Sequence, residues 1–327
     1  MTALRLDLLA IGNAIVDVIA PADDALIARA ELVKGSMRLI GAAEALALHA
    51  AMAAPREICG GSAANTAVGI AALGGRAGFM GLVGPDALGR LFTEDLRAAG
   101  VEGFVPVEPG GAPTARCLVL VSDDGQRSMC TFPGAAHMLA PSHVEPDAVA
   151  SAAILYLEGY LWDSSTARAA MERAIGIARA AGRKVAVTPS DIACVHRCGD
   201  RFRTLLADGG TDMLFLNQAE AKALAGAADL DAAVARLAPQ VALLVVTLGE
   251  QGAIAIAAGE RVHVPAEPVQ RVVDTTGAGD LFAAGFLFAH ARGRPLADCL
   301  RLGGRLAAQI IADYGARPRR DLSALCL

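Results

Sequence analysis

From residue 153 onward, short apolar runs alternate with longer runs rich in alanine and other small residues. Strands are predicted over 153–157, 184–188, 213–216 and 242–247. Helices are predicted over 165–181, around 202–206, and over 219–224, 230–237, 281–291 and 296–314. Such alternation implies a mainly parallel sheet covered by helices on both faces. The first half begins in the same style, with strands at 6–11 and 77–83 and helices at 62–73 and 88–99. The N-terminal β-rich pieces do not fit. Residues 13–19 read as a further strand carrying Asp17, and 115–122 and 127–132 as a hairpin around Asp123-Asp124-Gly125. Within the alternating half, 253–257 with 261–264 read as another hairpin-like pair. The expected fold is α/β: a three-layer α/β/α, mainly parallel sheet with a small β-sheet lid. Residues 1–12, 41–112 and 133–327 are expected in the core, and 13–40 and 113–132 in the lid.

The chain has 327 residues, enough for one large α/β domain and an appendage. Its net charge of −5 argues against a general nucleic-acid or membrane-surface role. The tight basic cluster Arg317, Arg319, Arg320 reads as a solvated tail. No apolar run is long enough to cross a bilayer, and the first residues lack the build of a signal peptide. Seven cysteines at irregular spacing do not suggest a disulfide framework, so a cytoplasmic setting is expected. Cys194-Val195-His196-Arg197-Cys198 lacks a second ligand pair and is not read as a metal site.

The chemically richest stretch is Asp274-Thr275-Thr276-Gly277-Ala278-Gly279-Asp280, followed at once by an apolar helical run. Gly277, Ala278 and Gly279 let backbone N–H groups approach a ligand closely. The first N–H groups of a helix lack internal partners and carry positive potential, which suits a phosphate or a developing anion. Asp280 beside such a pocket either caps the helix or takes a proton from an attacking hydroxyl.

Other segments sit at predicted strand ends, where ligands bind in sheets of this type. Gly60-Gly61-Ser62-Ala63-Ala64-Asn65 opens a helix, as a structural turn or as a ligand contact through Asn65. Asp17 is a surface strand residue or a grip on paired sugar hydroxyls. Asn217 and Glu220 share a helix face; they form either a helix cap or the support of a hydrated Mg²⁺. Thr247-Leu248-Gly249 can line a nucleotide. Arg127, on the hairpin, covers a phosphate or is simply exposed. Tyr160 stacks on a ring or packs at a rim.

Taken in order, these pieces resemble the ribokinase-like (PfkB) family of carbohydrate and nucleoside kinases. The resemblance is carried by Gly60 to Asn65, by Gly81-Leu82-Val83-Gly84-Pro85-Asp86, by Asn217 and Glu220, by Thr247 to Gly249, and by Asp274 to Asp280. It implies ATP-dependent phosphorylation of a primary alcohol. Asp280 would be the base, with the Gly277, Ala278 and Gly279 amides as anion hole. ATP would lie against Asn217, Thr247, Gly249, Thr276 and Gly279. Mg²⁺ would be held by Glu220 and Asn217, largely through water, and a monovalent cation near the C-terminal signature is allowed.

Within the family, Leu157-Glu158-Gly159-Tyr160 and the Ala307 to Ala316 segment resemble the adenosine kinase branch. That implies Asp17, Gly60, Gly61 and Asn65 around a ribose, with Tyr160, Met37 and Phe132 flanking the base. A sugar kinase acting on ribose, fructose or a keto-deoxy sugar acid would keep the same centre. A nucleotide- or sugar-binding regulator with little turnover is the alternative of another class. No nucleic-acid or membrane partner is expected. An exposed lid edge leaves a monomer or a lid-paired homodimer open.

Overall fold

The computed structural model describes residues 3–108, 110–124, 126–318 and 322–326. Gly125 of the expected hairpin turn, and Arg319 and Arg320 of the basic cluster, lie outside them. Fourteen strands are formed by these residues: β1 (Leu6–Ile11), β2 (Ile15–Pro21), β3 (Met37–Leu39), β4 (Arg56–Cys59), β5 (Ala77–Met80), β6 (Glu102–Phe104), β7 (Ala115–Val121), β8 (Arg127–Phe132), β9 (Ala152–Glu158), β10 (Lys184–Thr188), β11 (Met213–Asn217), β12 (Leu243–Thr247), β13 (Ala253–Ala257) and β14 (Glu260–Val264). They make a nine-stranded sheet, in the order β14-β13-β12-β11-β10-β9-β1-β5-β6, and a five-stranded sheet, in the order β3-β8-β7-β2-β4.

The large sheet is parallel from β6 to β12 and ends in the antiparallel hairpin β13–β14. Its strands are apolar on both faces. In β9, Ile154 and Tyr156 join the core on one face, while Leu155 and Leu157 join that on the other. This is the expected three-layer α/β/α core with a small second sheet. From β1 the chain proceeds to β5 and β6 on one side, and from β9 to β10, β11 and β12 on the other. The crevice beyond the C-terminal ends of β1 and β9 is therefore the topological switch point, where ligands bind in such sheets.

The small sheet has two unlike faces. Val16, Val18, Leu118, Leu120 and Cys130 point away from the crevice, into a core shared with Leu26, Ile27, Ala45 and Leu48. Those residues come from the helices Asp24–Arg29 and Ala42–Ala51, so the lid carries its own outer layer. The expected boundaries need two corrections: the helix Ala42–Ala51, inside 41–112, packs on the lid sheet, and β4, also inside 41–112, pairs antiparallel with β2 and belongs to that sheet. Its Arg56 and Glu57 are exposed, so it lacks the apolar alternation that marks a strand in sequence. Among the described residues, no helix is long and apolar enough to cross a membrane.

The helix Ala278–His290 is packed tightly from two sides. Against the helix Leu296–Ile311, a Cβ added at Gly285 would lie 2.7 Å from the Leu302 carbonyl oxygen and 2.9 Å from Gly303 Cα. Against the helix Ser62–Ala72, a Cβ at Gly69 would lie 2.6 Å from that of Ala284. We therefore predict that Gly285→Ala destabilises the fold by about 1–3 kcal/mol through overpacking. Urea denaturation of both proteins checks this, and an unchanged midpoint would contradict it.

Candidate active site

The two small-residue helices deliver the site. Gly277 starts the helix Ala278–His290 in the left-handed region, at φ +79°, and its missing Cβ leaves room for Ala316. The helix N-terminus then faces a cavity of about 550 Å³ between the lid and the large sheet. The Ala278 N–H donates to the Thr275 carbonyl at 3.2 Å. That amide is engaged in the turn, which corrects the expected anion hole. Among the described residues, the N–H groups of Gly277, Gly279 and Asp280 meet no acceptor. A Cβ at Gly279 would meet open space. These N–H groups are the ones left for an anion.

Asp280 is held from the other helix. Ser62 Oγ donates to its Oδ1 at 2.7 Å, and Asn65 Nδ2 donates to its Oδ2 at 2.9 Å. Thr66 Oγ1 donates to its backbone carbonyl at 3.2 Å. Burial raises the Asp280 pKa above the ordinary aspartate value, while these two donors and Arg317 oppose the rise. A carboxylate so placed can accept a proton from a hydroxyl in the cavity. Ser62, Asn65 and Thr66 are one helix face at i, i+3 and i+4, a spacing visible in sequence. Ser62 and Thr66 escaped notice as partners because Asp280 lies more than 200 residues away in the chain.

The switch point supplies a second carboxylate. Glu158, at the end of β9, is fully buried and accepts from Asn13 N at 2.6 Å and from Ala63 N at 2.8 Å. It ties the end of β1 to the start of the helix Ser62–Ala72. Desolvation pushes its pKa up to about 7. Asn13 also lines the cavity, with Oδ1 buried and unpartnered. Neither residue was marked in sequence by more than its neighbourhood.

Asp17 enters the cavity from β2. Burial pushes its pKa up to about 6, against the pull of Arg127 and Arg317. Gly60 is hidden beside it: a Cβ there would lie 3.1 Å from Asp17 Oδ2. Met37, Tyr160, Gly61 and Asn65 all line the cavity. Phe132 does not, which corrects its expected place beside the substrate. Along β8, Met129 and Thr131 face the cavity, and strand alternation sends Phe132 to the opposite face. Phe132 is paired there with Arg116, whose guanidinium binds Asp86 at 3.0 Å.

At the far end, Asn217, Glu220, Thr247 and Thr276 line the cavity, whereas Gly249 lies just beyond it. Asn217 and Glu220 form a reciprocal cap. Asn217 Oδ1 accepts from Glu220 N at 2.9 Å, and the Glu220 carboxylate accepts from Asn217 N at 2.9 Å and Nδ2 at 2.5 Å. Burial pushes the Glu220 pKa up to about 7. Each carboxylate oxygen thus takes one donor, and among the described residues no cluster of three or more His, Cys, Asp or Glu could hold a metal. The pair fits a cation reached largely through water.

The lid meets the catalytic loop through Arg127, whose Nη1 lies 2.9 Å from Asp274 Oδ2. Asp274 also accepts from Thr276 N at 3.0 Å and from Gly315 N at 3.2 Å, and these donors hold its pKa down at about 2 although burial opposes them. Arg317 is not the solvated tail residue expected from its basic neighbours. Its side chain is 10% exposed and reaches Asn65, Gly60 and Asp95.

Unpaired helix N–H groups beside a half-buried carboxylate, at a switch point under a lid, are the machinery of an enzyme that moves a phosphoryl group onto a hydroxyl. Residues 7–321 match the pfkB family of carbohydrate kinases, and the chain belongs to that family. Its fold matches the crystal structure of an adenosine kinase from Sinorhizobium meliloti with a TM-score of 0.89 and 46% identity, covering 98% of each chain. It matches a probable sugar kinase from Rhizobium etli with a TM-score of 0.90 and 43% identity, over 98% of this chain and 97% of that one. Rice Fructokinase-1 is 32% identical over 234 residues, 70% of this chain and 72% of its own. The protein is accordingly a phosphotransferase with a sugar or nucleoside alcohol as acceptor, and its family uses ATP.

The left-handed Gly277 gives a direct test. Gly277→Ala should reduce turnover by on the order of 100-fold, because the new Cβ would press on Ala316 and displace the unpaired amides. Steady-state kinetics with the Tm of the variant checks this. Retained turnover would show that the amides need not sit where the turn puts them.

Proposed function

We propose that the protein transfers the γ-phosphoryl group of ATP to the primary hydroxyl of a nucleoside, with adenosine as acceptor. The observation that carries the phosphoryl transfer is Asp280, fixed between Ser62 and Asn65 at the mouth of an anion-binding helix; the choice of acceptor rests on the likeness to an adenosine kinase. The acceptor hydroxyl gives its proton to Asp280 as it attacks phosphorus. The amides of Gly277 and Gly279 take up the charge of the transferring group, with the Asp280 amide in place of that of Ala278. Asp17, Gly61 and Asn65 hold the sugar hydroxyls, and Gly60 keeps the space beside Asp17 clear. Tyr160 and Met37 flank the base, joined by Met129 and Leu39 in place of Phe132.

ATP lies toward Asn217, Thr247 and Thr276, with Gly249 leaving room beside it. Glu220 and Asn217 would hold Mg²⁺ largely through water, and the ion would supply neutralisation of phosphate charge; a monovalent cation near the C-terminal signature is compatible with this arrangement. Lid closure over the acceptor keeps water from the phosphoryl group. The likeness to the Sinorhizobium adenosine kinase supports the nucleoside reading. A second reading, a sugar kinase acting on fructose or ribose, is favoured by the likeness to the Rhizobium sugar kinase and to fructokinases. Either chemistry can be carried out by a monomer or by a lid-paired homodimer, and neither needs a nucleic acid or a membrane.

The test is Mg-ATP-dependent ADP release against adenosine, other nucleosides, ribose, fructose and keto-deoxy sugar acids. Turnover with adenosine is the expected result, and turnover with sugars alone would replace the acceptor while keeping the centre. Asp280→Asn should lower kcat by about 100- to 10,000-fold; undiminished turnover would remove Asp280 as base.

Asp17 gives a pH signature. Its carboxylate is protonated below about 6. The protonated form is the weaker acceptor for sugar hydroxyls, so the acceptor KM should rise as pH falls through 6. Asp17→Asn should raise that KM about 10- to 100-fold, flatten its pH dependence and leave the ATP KM alone. Equal effects on both substrates would be incompatible with this placement.

A further inference from the structure

We infer that Arg317 is a positioning residue for phosphoryl transfer: it locks the Asn65 amide in the one orientation that presents a donor to Asp280. The inference rests on the reading of Asp280 as the base.

Arg317 lies in the turn after the helix Leu296–Ile311, 252 residues from Asn65 in the chain. Its guanidinium is occupied on every side. Nε donates to Asn65 Oδ1 at 3.1 Å, Nη2 donates to the Gly60 carbonyl at 2.8 Å, and Nη1 is paired with Asp95. The group also sits 5.4 Å from the centroid of the Phe92 ring. A tail arginine in water would make none of these contacts.

The two neighbours of the Asn65 amide dictate its orientation. A guanidinium has no acceptor and a carboxylate has no donor. Oδ1 must therefore face Arg317, and Nδ2 must face Asp280. Without Arg317 only Asp280 still opposes the turned state, which sets Oδ1 against the carboxylate, so that state is less strongly excluded and becomes populated whenever Asp280 is protonated. Asp280 would then lose one of its two side-chain donors, and its direction toward the acceptor hydroxyl would no longer be fixed.

Charge points the same way. Ser62 and Asn65 face Asp280 from one helix, Arg317 from the C-terminal turn, and Glu158, Tyr156 and Tyr160 from β9 and the turn after it. Arg317 is the cation acting on Asp280 in this set, and Glu158 is a second acid. Removing Arg317 leaves the base among neutral and acidic groups, so its affinity for a proton rises.

The experiment uses Arg317→Met, Arg317→Lys, Asn65→Ala and the Arg317→Met/Asn65→Ala double variant, with kcat, both KM values, pH profiles and Tm for each. Arg317→Met should lower kcat roughly 10- to 100-fold with the ATP KM unchanged. The acid limb of its kcat profile, measured at saturating acceptor so that the Asp17-dependent KM does not enter, should move to higher pH. Arg317→Lys keeps the charge but cannot make the forked contacts, so it should restore the limb and not the rate. In the Asn65→Ala background, Arg317→Met should cost less than about 2-fold more, because the two residues act as one unit.

Losses that multiply in the double variant would overturn the inference, as would a lower Tm with kcat and the acid limb both unchanged. If Arg317→Met does not fold, the rate and limb of Arg317→Lys decide alone. Asp280→Asn separates the premises: turnover retained there rejects the base itself, whereas turnover lost there and intact in Arg317→Met rejects Arg317 only.

Discussion

The site depends on one half-buried carboxylate meeting its donors across a helix crossing. Asp280 is largely desolvated, and a carboxylate in that position without donors is costly to keep ionised. Ser62 and Asn65 meet that requirement, but only if the helix Ser62–Ala72 comes close to the helix Ala278–His290. Gly69 against Ala284 makes that approach possible, and Gly285 against Gly303 lets the helix Leu296–Ile311 pack as closely against the helix Ala278–His290. The abundance of alanine and glycine is thus tied to chemistry. Larger side chains at those crossings would push the helices apart and leave Asp280 either unpaired or protonated.

The same crevice gathers Glu158, Glu220, Asp17 and Asp280, and burial raises the pKa of each. Perturbed acids concentrated in one cleft mark a functional site, because a fold selected for stability alone has no use for them. Their tasks differ with their partners. Glu158 has both oxygens engaged by backbone N–H groups, and Glu220 has one engaged by a backbone N–H and one by the Asn217 side-chain amide, so they shape the site. Asp280 takes side-chain donors and keeps a face to the cavity, so it can exchange a proton. Asp274 is the contrasting case: three neighbours donate to it or pair with it, its pKa is low, and it acts as a tie between lid, catalytic loop and C-terminal turn.

Much of this architecture was legible in the sequence because local rules govern it. The strands 127–132, 184–188 and 253–257 and the helix 230–237 carry clean periodicity and were placed to the residue. The turn at Gly277 was legible because only a small-residue loop can start a helix in the left-handed region. Illegible were the features set by distant chain. Arg317 reads as part of a basic tail until the fold brings Asp95 and Asn65 to it. The strand β4 has two exposed charged residues and exists because β2 offers an edge. Phe132 was misplaced by one step of alternation, since aromatic character alone does not say which face of β8 a residue takes.

That alternation also bears on which acceptor the enzyme takes. The lid presents to the cavity Ile15 and Asp17 from β2, Met37 and Leu39 from β3, Cys117 from β7, and Met129 and Thr131 from β8. These seven residues, all of one parity on four strands, form one surface: apolar and adaptable at the methionines, with a carboxylate at Asp17. A flat heteroaromatic ring would meet the thioethers well. The lid supplies one side of the cavity, and Gly61, Asn65 and Tyr160 supply the other. Lid residues of a single parity can thus alter the cavity surface while Asp280 and its donors stay as they are.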